Sequence, residues 1–200
     1  MAVLLDDDIE LHDGATAAPP RPDRYEVIDG EIVEIPDMGV YSAETANLIR
    51  DELTIYARAT KSGRPRQEML FPIPSPSDPN RQRRPDVAFV SNERWPDHLA
   101  IPLEGNPAPV VPDLAVEVIS PSDNAEDLLD KLHEYLRAGV RLVWLVWPRD
   151  RSVHAYSGPK SVRIFTIEDT LDAGELLPGF AVPMASLFPE RPAPAPPAVT

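Results

Sequence analysis

Residues 142–147 read Leu-Val-Trp-Leu-Val-Trp and are closed by Pro148. Six apolar side chains follow one another with no polar alternation. A strand with one face in water alternates, whereas a strand covered on both faces does not. The run therefore predicts a central strand, and a central strand needs layers packed on both of its sides. It is far too short to span a bilayer, and no other apolar run approaches that length.

The rest of the chain supplies those layers. Tyr25–Ile35 (YEVIDGEIVEI) places Asp29-Gly30 between two β-rich runs, the signature of a type I′ hairpin. Residues 43–60 carry Ile49, Leu53 and Tyr56 at helical spacing, with Leu48, Glu52 and Ile55 beside them, and Ser42 as the N-cap candidate. Strands are expected over 67–73, 85–91 and 113–119. Between the last two lies a Pro-rich excursion. A second helix should follow Ser122 and Asp123, the N-cap candidates, with Leu128, Leu132, Tyr135 and Leu136 on one face and Gly139 past its end. After the central strand comes a hairpin over 151–167, then a last strand or turn at LLPGF. The expected fold is α/β, a mixed sheet flanked by two main helices, with an N-terminal β-hairpin. The folded domain should span 23–188. Residues 1–22 are acidic and Ala/Pro-rich, and 189–200 read PERPAPAPPAVT, so both are expected to be disordered.

Charge and cysteine narrow the function. A net charge of −14 argues against a protein that coats nucleic acid non-specifically. Yet residues 58–84 carry seven bases (Arg58, Lys61, Arg64, Arg66, Arg81, Arg83, Arg84) against Glu68 and Asp78. That segment is either a solvated loop and helix end or a phosphate-binding edge. The chain has no Cys, which excludes disulfides, thiolate metal sites and Cys nucleophiles. The start, MAVLLDDDIELHD, has four apolar residues followed by acids and does not read as a secretory signal. The expected location is cytoplasmic. None of the histidines forms a pair at metal-ligand spacing, and no glycine-rich phosphate loop is present.

Two acids and one amine stand out. In 113–119 the period of two puts Asp113, Ala115, Glu117 and Ile119 on one face. Glu117 thus sits among apolar residues, where a carboxylate must be paired, hydrogen-bonded or metal-bound. Asp86 opens the apolar run Val87–Val90. If the two strands are neighbours, Asp86 and Glu117 share a cleft and supply the oxygen ligands that Mg²⁺ takes alongside water and phosphate. On the second helix, with Leu128 at zero, Lys131 falls at about −60°, on the border of the buried stripe. Its stem can be covered while its ammonium reaches the sheet edge.

The strings RPDVAFV from Arg84, PDLAVEVISPSD from Pro112 and KLHEYLRAGVRLVWLVWP from Lys131 resemble the Uma-two family of restriction endonucleases, a branch of the PD-(D/E)XK superfamily. YEVIDGEIVEI and LLPGF resemble its flanks, so the likeness covers about 25–188. The resemblance implies metal-binding roles for Asp86 and Glu117, with Mg²⁺ as cofactor and Mn²⁺ as substitute. It implies DNA as substrate. Where the superfamily has a Lys two residues after the Glu, this chain has Ile119, and the family's pattern points to Lys131 instead. Ser42 stands near the place where many relatives carry His. Glu44 and Glu31 are further candidate acids. Arg81, Arg83 and Arg84 are candidate backbone contacts near Asp86. Cleavage of both strands would suit a C2 dimer.

Two functions remain open. One is a Mg²⁺-dependent endonuclease. The other is a non-catalytic binding or assembly module on the same fold, suggested by the acidic balance, Ile119 and Ser42.

Overall fold

A computed structural model describes residues 21–96, 98, 99, 101, 107–121 and 123–190. The two terminal segments expected to be disordered lie almost wholly outside these residues, as does Ser122.

The hairpin forms as read. β1 (Tyr25–Ile28) pairs antiparallel with β2 (Glu31–Glu34) through Asp29 and Gly30, which both take positive φ, at 51° and 81°. That is the requirement of a type I′ turn, which asparagine, aspartate and glycine tolerate best. α1 (Val40–Thr60) begins three residues before the expected start, with Gly39 rather than Ser42 as N-cap. Thr45, Ala46, Ile49, Leu53 and Ala57 form its buried stripe, while Ile55 faces outward. Lys61 ends the helix in the left-handed conformation, its N–H bonded to Ala57 O.

The strand expected over 67–73 is instead two strands. β3 (Gly63–Gln67) and β4 (Phe71–Pro72) are separated by Glu68, whose φ is +48°. A left-handed residue cannot continue a ladder, so β3 and β4 join different sheets. β5 (Gln82–Arg83), β6 (Val87–Ser91) and β7 (Leu114–Val118) follow. α2 (Ala125–Arg137) is capped by Asn124, whose Oδ1 accepts from the Glu126 N–H at 2.8 Å. Asn124 does the work expected of Asp123. β8 (Leu142–Trp147) is the apolar run; β9 (Ser152–Gly158), β10 (Ser161–Phe165), β11 (Thr170–Ala173) and β12 (Leu177–Pro183) complete the strands.

The main sheet has the order β10-β9-β8-β7-β6-β3. Only β7 and β8 run parallel, joined by α2; the other pairs are antiparallel. Both faces are covered. Leu114, Val116, Val118, Trp144 and Val146 pack with the α1 stripe. Ala115, Ile119, Val143 and Leu145 pack with Leu132 and Tyr135 of α2. This double cover is why β8 has no polar position. A second sheet, β2-β1-β5-β4, carries the N-terminal hairpin.

Gly63 is the most closely confined of the described glycines. A Cβ there would sit 2.3 Å from Val90 O and 2.7 Å from the Phe89 ring. Backbone in a paired strand cannot retreat, so Gly63→Ala should destabilise by about 2–3 kcal/mol. The check is a fall in Tm of roughly 5–12 °C relative to wild type.

Candidate active site

The register of β6 and β7 builds the site. Val87 pairs with Val116 and Ala88 with Ala115. One further step along this antiparallel ladder sets Asp86 beside Glu117. The Val118 N–H, unused by β6 there, donates to Asp86 Oδ2 at 2.7 Å and fixes that carboxylate at the strand end. Glu117 lies on the α2 side of the sheet, as its period of two requires.

Helix α2 brings the amine. Lys131 Nζ donates to Glu117 Oε2 at 3.0 Å. One turn on, the Tyr135 hydroxyl donates to Glu117 Oε1 at 2.6 Å. Ile119 occupies the position two residues past Glu117, is buried in the α2-side core and carries no charge. An ammonium nevertheless reaches Glu117, from the helix rather than the strand. Asp86, Glu117 and Lys131 therefore meet in one cleft of about 940 Å³, which Ser42 also lines.

Glu26 is a fourth member that sequence reasoning missed. It is 3% exposed. Its carboxylate lies 3.1 Å from Lys131 Nζ and 2.7 Å from Arg83 Nη1, and accepts the Arg84 N–H at 2.9 Å. The other two acids considered, Glu31 and Glu44, are exposed. Locally, Glu26 reads as a polar residue of a surface hairpin. Its burial arises because β1 also pairs with β5 and closes over the cleft. Tyr135 did carry a signal, since a Tyr at about −20° on the buried stripe must find a partner for its hydroxyl.

The basic trio lines the same cleft, but with its donors engaged by protein acceptors. Arg83 is held by Glu26 and by Glu134, whose Oε2 is 2.6 Å from Arg83 Nη2. Arg81 pairs with Glu134, with Asp29 at 2.8 Å and with Asp78 at 3.1 Å. Arg84 donates to the carbonyls of Tyr25 and Glu68 and stacks on the Tyr25 ring. All three tie the hairpin to the body of the protein.

The acids respond differently to burial. Burial, then the neighbouring Glu117, pushes the Asp86 carboxyl up to about 7, against the pull of the Val118 N–H and Lys131. Burial also raises Glu117, although Lys131 and Tyr135 oppose it. Burial would raise Glu26 too, but Lys131, Arg83 and the Arg84 N–H outweigh it and hold that carboxyl below its usual range. Burial disfavours the Lys131 ammonium, and the three acids more than reverse this, so it stays charged. Burial and the Glu117 charge keep the Tyr135 phenol protonated.

These residues fit a divalent cation in part of its shell. Asp86 and Glu117 are hard oxygen donors, side by side, and Glu117 already holds the Lys131 ammonium. Among the described residues no group of three or more His, Asp or Glu is arranged to hold an ion. Mg²⁺ accepts such a site because it keeps several waters and takes phosphate oxygens.

A mixed sheet sandwiched by two helices, with acids on adjoining strand ends, defines the restriction-endonuclease-like class. Within it, the chain belongs to the Uma2 family, described as "Putative restriction endonuclease", whose model matches residues 11–185. A crystal structure of a "putative nuclease" from Anabaena variabilis has the same fold, with a TM-score of 0.67 at 18% identity over 84% of this chain and 92% of that one. No curated protein matches the chain. Among the described residues no helix is long and apolar enough to cross a membrane.

Proposed function

We propose that this chain is a divalent-metal-dependent endonuclease that hydrolyses phosphodiester bonds in DNA. The observation that carries this reading is the juxtaposition of Asp86 and Glu117 across β6 and β7, with Lys131 Nζ 3.0 Å from Glu117. Asp86 and Glu117 would hold the ion, Mg²⁺ or Mn²⁺ in its place. A bound ion neutralises charge on the phosphate and lowers the pKa of a coordinated water.

The chain's own groups do the positioning. The Val118 N–H fixes Asp86, and the Tyr135 hydroxyl fixes Glu117. The Lys131 ammonium, kept charged by three acids, is placed to donate to a phosphate oxygen and so stabilise charge that grows in the transition state. The donors of Arg81, Arg83 and Arg84 serve protein acceptors, so these three are not proposed as DNA contacts.

Conversion of supercoiled plasmid tests the reading. Cleavage is expected with Mg²⁺ or Mn²⁺ and none with chelator. Cleavage that survives the chelator, or none with either ion, overturns it.

A second reading, a binding module without catalysis, draws on the rim of the cleft. Asp37, Asp123, Asp127 and Asp130 line it, an unwelcoming surface for a polyanion. Binding of Mn²⁺ without any plasmid cleavage would favour it.

A further inference from the structure

Lys131 stands between two carboxylates from distant parts of the chain. Its Nζ is 3.0 Å from Glu117 Oε2 and 3.1 Å from Glu26 Oε1. Glu117 belongs to the main sheet and Glu26 to the second sheet. The cleft thus holds one ammonium with two nearly equivalent partners.

A cation held by Glu117 repels an ammonium bonded to the same carboxylate, and strongly so away from bulk water. Lys131 therefore has to yield Glu117 as the ion enters. It also has to stay charged and close. Glu26 meets both needs. It is already at hydrogen-bond distance. Arg83 Nη1 at 2.7 Å from its Oε2 and the Arg84 N–H at 2.9 Å from its Oε1 hold it in place. Arg83 also pairs with Glu134, three residues along α2 from Lys131. The receiving carboxylate is thereby fixed relative to the helix that carries the amine.

We propose that Glu26 is the alternate partner to which Lys131 retires when Glu117 takes up a divalent cation. Glu26 is then a positioning residue of the N-terminal hairpin that sets cation affinity through Lys131. This inference rests on the proposed cation site at Asp86 and Glu117.

The test is a double-mutant cycle read by titration calorimetry with Mn²⁺ in place of any catalytic assay. Wild type, Glu26→Gln, Lys131→Gln and the double variant are compared, each with a cooperative melt. Glu26→Gln should weaken Mn²⁺ binding about tenfold, because Lys131 then competes for Glu117 without an alternative. Lys131→Gln should tighten binding. In the Lys131→Gln background, Glu26→Gln should change affinity by less than about twofold. An equal loss in both backgrounds would make Glu26 a direct ligand or a bulk charge and overturn the proposal. No loss in either background also overturns it. If Glu26→Gln does not fold, Glu26→Asp keeps the charge on a shorter arm and should weaken binding in the same background-dependent way. A wild-type protein with no isotherm removes the cation site itself, and the proposed function falls together with this inference.

Discussion

Plasmid cleavage by Asp86→Ala and by Glu117→Ala should fall on the order of a thousandfold or more below wild type. With two side-chain ligands expected, loss of either leaves the ion on a single carboxylate. The two variants should differ in stability. Glu117 accepts from both Lys131 and Tyr135, so its removal orphans a buried phenol and takes one of two carboxylates from the Lys131 ammonium. Glu26 remains for Lys131, which limits the damage. Glu117→Gln keeps the shape and one acceptor oxygen for Lys131, while its amide NH2 can donate to the Tyr135 hydroxyl oxygen. It should melt near wild type and yet cleave as poorly as Glu117→Ala. Cleavage by any of these variants at the wild-type rate would remove Asp86 and Glu117 from the chemistry.

Asp86→Asn should make the cation-free protein more stable above neutral pH. Burial and Glu117 raise the Asp86 carboxyl from 3.8 to about 7 in the folded state. The folded protein therefore binds this proton more tightly than the unfolded chain. Below pH 4 both states are protonated and the residue costs nothing. Between pH 4 and 7 the unfolded chain has lost the proton while the folded one keeps it, and stability falls as pH rises. Above 7 the full cost is present. A shift of this size corresponds to about 2–4 kcal/mol after allowance for partial exposure. The amide can still accept the Val118 N–H, so the gain on substitution should approach that figure at pH 8 and vanish below pH 4. Urea titrations at several pH values measure it. Added Mn²⁺ should invert the order, raising the Tm of wild type and leaving Asp86→Asn unchanged. A variant no more stable than wild type at pH 8 would show that Asp86 is not strained by its surroundings.

That strain is the kind of feature a sequence-level argument reaches only in part. The α/β class, the central strand at 142–147, the Asp29-Gly30 hairpin and both long helices were legible because each rests on local pattern. An apolar run without alternation has one home, and a DG turn between β-rich runs has few others. The face assignment of Glu117 was legible too, since a period of two is a property of the strand alone. Local pattern failed where a single backbone angle decided the outcome. Nothing in the residue type marks Glu68 for the left-handed conformation that separates β3 from β4. The N-caps shifted for a similar reason, because Gly39, Asn124 and the serines and aspartates nearby are all acceptable caps.

The charged network lay further out of reach. Seven bases clustered at 58–84 left a solvated segment and a phosphate edge both open, and Arg81 and Arg83 instead find Glu134, Asp78, Asp29 and Glu26. Clustering along a chain says nothing about which acids arrive from 50 residues away. What this sequence determined alone was the two long helices, the central strand and the N-terminal hairpin, and the two acids and one lysine that had to be explained by burial. Only the tertiary structure decided that the three meet, that Lys131 comes to Glu117 from α2 past Ile119, and that Glu26 closes the site. Electrostatic partners are chosen by distance in space, and no periodicity along the chain encodes that distance.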